Sequence, residues 1–379
     1  MLAMTPPMGY NTWNTFGTNI NAQLIKETAD AMVDEGLLDA GYQYLVIDDC
    51  WSERQRDPVT DKIIPDKNKF PLGMNDVSDY VHSRGLKFGM YSCAGVRTCA
   101  DYPGSFDHEF LDAETFAEYG CDYLKYDFCF KPETVNGPML YKRMGMALKA
   151  CGREILFSAC NWGSDEVGTW IRSTGAHMYR STGDIFDNFN SAKNIAMAQH
   201  QNFCYSAPGC FNDMDMLTVG MYGKGNVGNE NAQSDVEYLT QFALWCLFGS
   251  PLMIGCDVRN MTPATKAILT NRELIAINQD PECRGVYPVS VGNPWDEGKI
   301  VFFRHLADGE YAIGFFNFLD NDTTVSFSAY NAGLVAGCGR AFVMRDVMTG
   351  EEVGPIKDYY NPVVPSHGCK IFRAKIVRV

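Results

Sequence analysis

Residues 121–128 read CDYLKYDF, a short apolar run that closes on a carboxylate at Asp127. Its length and aromatic content suit a strand covered on both faces, the habit of parallel sheets. A helical pattern precedes it at 112–120 and another follows at 137–151. The same alternation continues upstream. LKFGMYSC at 86–93 follows a helix over 73–85, and YLVID at 44–48 follows a helix over 21–40 that Gly41 caps. Gly9–Asn11, just past Pro6-Pro7, reads as a first short strand. Downstream come EILFSAC at 154–160, AHMYR at 176–180, NFCYSAPGC at 202–210 and SPLMIGCD at 250–257. Long helices over 233–248 and 262–278 flank the last of these. Eight strands, each followed by a helix or helical turn, predict a (β/α)8 TIM barrel over residues 1–282. An open doubly wound sheet is the rival, weakened because no GxGxxG follows the first strand.

Past residue 282 the apolar period becomes two. KIVFFRHL and EYAIGFFNF flank Asp308-Gly309, a hairpin with its turn dipeptide. TTVSFS, AFVMRDVMTGEEVG and GCKIFRAKIVRV continue in that style. Residues 283–379 are therefore expected to form a C-terminal antiparallel β-sandwich domain. The Gly-rich segment GMYGKGNVG at 220–228 has two readings: a flexible surface loop, or a substrate-side lid or oligomer contact.

Composition bounds the function. Of 379 residues, 46% are hydrophobic and 21% charged, an ordinary globular balance. A formal charge of −14 repels phosphate backbones and anionic lipid, which argues against nucleic acid and membrane partners. No apolar run is long enough to cross a bilayer as a helix. Met1–Pro7 carries neither a basic nor an apolar signal region, so no secretory signal is read. The 14 cysteines are scattered without zinc-like spacing, and mostly reduced thiols in a cytoplasmic protein are expected. Homo-oligomerisation stays open.

In a barrel the chemistry sits at the C-terminal ends of the strands. Those ends carry Asp48-Asp49-Cys50-Trp51, Tyr91-Ser92-Cys93, Lys125 with Asp127, Cys160-Asn161-Trp162, and Arg180 with Asp184 four residues on. Asp213-Met214-Asp215 follows the seventh strand. A single strand-end Asp often just caps the next helix; the weight lies in so many converging on one mouth. Six histidines, none paired at i, i+4, disfavour a zinc barrel, and no GxSxG elbow is present. No metal or cofactor is called for. Two carboxyl groups facing each other across a pocket can cleave a glycosidic bond.

Several blocks resemble the α-galactosidase/α-N-acetylgalactosaminidase family, glycoside hydrolase family 27. They are PPMGYNTWN at 6–14, YLVIDDCW at 44–51, YLKYDFC at 123–129, NDMDML at 212–217, SPLMIGCD at 250–257 and LTNRELIAINQD at 269–280. The blocks run in order over almost the whole chain. The resemblance implies a barrel followed by an antiparallel β domain, and metal-independent, retaining hydrolysis of terminal α-linked galactose, so a carbohydrate is the expected partner. It implies Asp127 as nucleophile and Asp184 as acid/base. Lys125, two residues before Asp127 on the same strand face, is expected to lower the pKa of that carboxylate and so keep it ionised. Asp48 and Asp49 match the pair that holds the 4- and 6-hydroxyls. Lys125 would serve the 3- and 4-hydroxyls, and Arg180 and Asp215 the 2- and 3-hydroxyls. Trp13 and Tyr91 match pocket-wall positions. Cys160 and Trp162 crowd the 2-position, which favours galactose over N-acetylgalactosamine.

The resemblance also implies a disulfide between Cys99 and Cys129 beside the pocket. Cys50 matches another half-cystine, but Thr18 stands at its partner position. Phe211 and Met214 replace the Trp and Pro of the family pattern. Rival enzymes are α-N-acetylgalactosaminidase, β-L-arabinopyranosidase and an isomaltose-releasing enzyme of the same fold. Other classes are a catalytically silent galactose-binding protein and a Schiff-base aldolase using Lys125.

Overall fold

The computed structural model describes residues 2–379. Eight short strands form one sheet: β1 (Met8–Asn11), β2 (Tyr44–Val46), β3 (Lys87–Cys93), β4 (Tyr123–Asp127), β5 (Leu156–Ala159), β6 (Met178–Arg180), β7 (Phe211–Asp213) and β8 (Leu252–Ile254). Their order is β7-β6-β5-β4-β3-β2-β1-β8, and every pair is parallel. Closure comes just after β7. Leu217 N–H donates to Met253 O at 2.8 Å and Gly255 N–H to Leu217 O at 3.0 Å. The sheet is thus a barrel, with Tyr44, Val46, Tyr123, Leu156, Met178, Met216 and Met253 packed together inside.

Three sequence expectations shift. The seventh strand is not 202–210. That segment holds a helical turn (Phe203–Tyr205) and a tight bend, and the strand begins at Phe211. Pro208 has no N–H to give a ladder, and Gly209 takes φ +88°, so the chain turns there. The helix expected over 21–40 breaks into Ala22–Asp34 and Leu37–Ala40 around Gly36, whose φ is +78°. The helix expected over 262–278 is likewise two, Pro263–Leu269 and Arg272–Asn278. Asn271 caps the second by accepting the Leu274 N–H.

The C-terminal region is antiparallel. Strands Val286–Pro288, Lys299–His305, Tyr311–Asn317, Arg340–Asp346, Glu352–Ile356 and Cys369–Arg378 make a six-stranded sheet. Two short ribbons, 323–324 with 363–364 and 327–328 with 359–360, accompany it. Phe303, Phe315, Phe327, Phe342 and Phe372 fill a second core. The two regions meet across helix Asp235–Phe248. It is buried along nearly its whole length, contacting the barrel on one side and the antiparallel sheet on the other. Ser234 and Glu237 close its N-terminus with a capping box. At the other end, buried Arg304 of the antiparallel sheet donates to the carbonyls of Cys246 and Leu247 at 3.1 and 3.3 Å. A guanidinium there satisfies orphan carbonyls and suits the negative end of the helix dipole.

Candidate active site

The strand ends converge on a pocket of about 220 Å³. Drug-sized sites run to about 300–1,000 Å³, so this one suits a single small ring. Its wall includes Trp13, Asp48, Asp49, Tyr91, Cys99, Lys125, Asp127, Trp162, Arg180, Asp184 and Asp215. All but two of the residues singled out as catalytic or substrate-binding, or as partners in the disulfide, therefore meet at one place. The exceptions are Cys129, which reaches the site through its bond to Cys99, and Cys160.

Asp127 ends β4 and is only 5% exposed. Its Oδ2 accepts the Tyr91 hydroxyl at 3.0 Å, and its Oδ1 accepts the Phe128 N–H at 3.0 Å. Burial pushes the carboxyl up to about 6. The nearby Lys125 ammonium and the Phe128 N–H pull the other way, while Asp48 and Asp184 add to the rise. The expectation that Lys125 sets the direction is thus corrected: loss of water around a buried charge outweighs one ammonium. Near neutral pH the carboxylate is still mostly ionised.

Lys125 sits two residues back on the same face of β4. Its Nζ donates to Asp48 Oδ2 at 2.8 Å and lies 5.2 Å from the centre of the Tyr91 ring. The acidic neighbours Asp48, Cys160 and Asp127 outweigh burial and hold this ammonium charged. Asp48 also accepts the Asn11 amide at 2.7 Å. Because β2 ends at Val46, Asp48 and Asp49 lie beyond the pleat and both reach the pocket. Asp49 is held by the N–H groups of Cys50 (2.7 Å) and Ala100 (3.0 Å), and burial raises its pKa.

Across the pocket, Arg180 at the end of β6 bridges two carboxylates. Nη2 meets Asp184 Oδ1 at 2.9 Å and Nη1 meets Asp215 Oδ1 at 3.0 Å. The Arg and Asp215 side chains are buried, whereas that of Asp184 is 64% exposed. Asp215 takes φ +77°, a costly conformation for a non-glycine residue. Four contacts hold it there. Its N–H donates to Asp213 Oδ1 (2.9 Å), its carboxylate accepts the Ile185 and Met216 N–H groups (both 2.7 Å), and its carbonyl accepts Trp245 Nε1 (2.7 Å). Burial raises the Asp215 pKa and Arg180 opposes it. Met214, standing where the family pattern has Pro, is buried and anchors its N–H on Ser250 Oγ at 3.0 Å.

Cys160 lines a hollow that adjoins the pocket. Its thiol is buried 3.8 Å from Arg180 Nη1, and the hollow, of about 20 Å³, shares Lys125, Arg180 and Asp215 with the pocket. Two residues on, Trp162, at φ +56°, brings its indole to the pocket, with the Phe128 ring edge-on to it and the ring centres 6.3 Å apart. Trp51 also stays out of the pocket, buried with Nε1 donating to Tyr91 O at 2.9 Å.

Cys99 and Cys129 form a disulfide, and the Tyr91 hydroxyl lies 3.6 Å from Cys99 Sγ. Cys50 is buried and makes no disulfide. Among the described residues, one group of acidic, Cys or His side chains is close enough to share an ion: Cys99, Asp127 and Cys129. The disulfide occupies both sulfurs.

Sequence reasoning passed over Asn14, Ile185, Phe186, Met216, Asn226 and Val227, which complete the wall. Asn226 and Val227 lie in the Gly-rich segment, so that segment does face the pocket. Asp213 was read as part of a motif but given no role. It is buried beside Arg180, and burial pushes it up to about 7. A larger hollow of about 620 Å³ lies at the opposite end of β5 and β6. Its lining holds Lys142, Lys149, Arg153 and Arg172 and a single carboxylate, Glu154. It lacks the paired carboxylates that the smaller pocket carries.

Known proteins match this arrangement. The family model described as "Alpha galactosidase A" covers residues 5–280, and that of the "Alpha galactosidase C-terminal beta sandwich domain" covers 296–374. α-Galactosidase 2 of Arabidopsis thaliana is 47% identical over 374 residues, 98% of this chain and 89% of that protein. The crystal structure of α-galactosidase I from Mortierella vinacea superposes with a TM-score of 0.89 at 34% identity, covering 98% of this chain and 97% of that one. The Saccharomyces cerevisiae α-galactosidase solved with raffinose gives 0.87 at 28% identity, covering 99% and 98%. The chain belongs to glycoside hydrolase family 27, the α-galactosidase family.

Proposed function

We propose that this protein removes terminal α-linked galactose from oligosaccharides or glycoconjugates by a retaining double displacement. The observation that carries the reading is the pairing of a buried, hydrogen-bonded carboxylate at Asp127 with an exposed one at Asp184 on the wall of one ring-sized pocket. Asp127 attacks the anomeric carbon, and the glycosidic oxygen leaves with the proton of Asp184. The same Asp184 then takes a proton from water, which breaks the galactosyl ester and restores both groups.

The remaining wall holds the sugar. Asp48, Asp49 and Lys125 meet the 3-, 4- and 6-hydroxyls, and Arg180 and Asp215 the 2- and 3-hydroxyls. Trp13 and Trp162 supply apolar faces, and Tyr91 steadies the nucleophile. Cys160 supports Arg180 from behind. The Trp162 indole leaves little space beside the 2-position, so galactose is favoured over N-acetylgalactosamine. No metal takes part in this scheme.

The test is hydrolysis of p-nitrophenyl α-galactoside against the β-L-arabinopyranoside and α-N-acetylgalactosaminide. The galactoside is expected to be turned over fastest. Preference for either analogue would refute the assignment, and galactose binding without turnover would favour a silent binding protein.

The cytoplasmic expectation stands as a further proposal, supported by eight buried cysteines without a disulfide. The Cys99–Cys129 bond pulls the other way, since such bonds are rare in reducing compartments. The redox state of that pair in cells is the direct check.

A further inference from the structure

The pocket wall comes from residues 13–227, so among the described residues the C-terminal β domain supplies none of it. That domain does reach the segment that carries Asp184. Phe189, a few residues further along, opens helix Phe189–Met197 and is only 7% exposed. Its ring stacks on the imidazole of His367, with the centres 4.3 Å apart and the planes 22° from parallel. Phe318, from the same domain, flanks it at 6.1 Å. His367 is itself fixed. Nδ1 lies 2.6 Å from Glu237 Oε1 and Nε2 lies 2.9 Å from Asp320 Oδ1, which sets the ring plane. Its carbonyl accepts the Thr240 hydroxyl at 2.8 Å, and its N–H donates to Leu319 O at 3.3 Å. The backbone takes φ +53°, a conformation that persists in a non-glycine residue only where its surroundings enforce it.

Glu237 and Thr240 belong to helix Asp235–Phe248. Between them on that helix, Tyr238 donates its hydroxyl to the buried Asp187 carboxylate at 2.9 and 3.0 Å. One turn therefore grips His367 and the Asp184 loop together. The rest of the loop is tied down as well. Ile185 N–H donates to Asp215 Oδ2 at 2.7 Å, and Phe186 N–H to Ser191 Oγ at 3.0 Å. The Asn188 side chain accepts the Ser191 N–H. Asp184 stands at the head of this braced run, its side chain 64% exposed and Arg180 on its carboxylate. A carboxyl in the open keeps its place only as well as the backbone beneath it does. An acid must meet the departing oxygen at about 2.6–3.2 Å, so that place matters.

We propose that His367 is a positioning residue for the acid/base carboxyl: through its stack on Phe189, the C-terminal domain sets where the Asp184 loop stands. The inference rests on the reading of Asp184 as acid/base and adds a role in the reaction for the second domain. Packing that only joined the two domains would alter stability or the yield of active protein, and would scale every substrate alike. A displaced acid tells only where the leaving group needs a proton.

The experiment compares kcat/KM of the full chain for an α-galactosyl disaccharide, whose leaving group needs a proton, with that for α-galactosyl fluoride, whose leaving group needs little help. His367→Asn suits the left-handed backbone but removes the ring. Its disaccharide-to-fluoride ratio should fall about 3- to 30-fold, as a misplacement of less than about 1 Å would produce. Phe189→Leu removes the stack from the other side and should lower the ratio likewise; it carries the test should His367→Asn not fold. The double variant should fall no further than the worse single one, because both changes cut the same contact. A ratio unchanged from wild type in either folded variant, or additive falls in the double variant, overturns the proposal. Asp184→Ala is the control: an unchanged ratio there overturns the acid/base reading instead.

Discussion

The ends of β4 and β6 present the same side chain to one pocket in opposite settings. Asp127 lies on a regular strand, buried, with two hydrogen-bond donors fixed on it. Asp184 lies four residues past its strand, in the open, with Arg180 holding it. A nucleophile gains from fixed geometry and exclusion of water; an acid/base must exchange protons with the leaving group and then with water. Environment, not residue type, divides the two proposed roles.

The sharpest way to break this contrast is to delete each side chain. Asp127→Ala is expected to lose about 10⁴-fold or more of kcat, since nothing else can form the ester. Azide should then attack in its place and yield the β-galactosyl azide, identified by NMR. Asp184→Ala is expected to lose about 10²–10⁴-fold on disaccharides, whose leaving groups need a proton. The loss should be far smaller on galactosyl fluoride, and azide should now give the α-azide. The same azide anomer from both variants would erase the distinction.

Softer changes sharpen it. Burial raises Asp127 to about 6, so kcat/KM should fall on an acid limb near that value as the carboxylate takes a proton. Tyr91→Phe removes a donor to the charged form, which should move the limb upward and cost about 10-fold or more at neutral pH. An unmoved limb would assign it to another group.

Asp213 gives the smallest effect. Its folded-state pKa, about 7, lies above that of an unfolded Asp at about 3.9, so the folded protein binds this proton more tightly. Its contribution to stability is therefore present below about pH 4 and is lost as pH rises toward 7. Asp213→Asn keeps an acceptor for the Asp215 N–H and should flatten that part of the Tm–pH curve.

The barrel was legible because its strands are short, apolar and punctuated. Lys125 and Asp127 share a face by simple alternation, and the acidic ends announced the mouth. The seventh strand was missed because 202–210 is apolar enough to mimic one, while its Pro-Gly bend breaks the ladder and the three-residue strand beyond is nearly signal-free. Phe186 and Asn226 reach the wall through loops, where no period tells which way a side chain points. The net pKa of Asp127 was misjudged because a local ammonium is visible in sequence and burial is not. Cys160 is assigned to the site by resemblance; the fold adds that its thiol lies 3.8 Å from Arg180 Nη1.

The most direct test of the double displacement is the anomer released first. Hydrolysis of p-nitrophenyl α-galactoside followed by proton NMR, before mutarotation, should show α-galactose appearing ahead of β. If β-galactose appears first, water attacks the anomeric carbon directly and Asp127 is not the nucleophile.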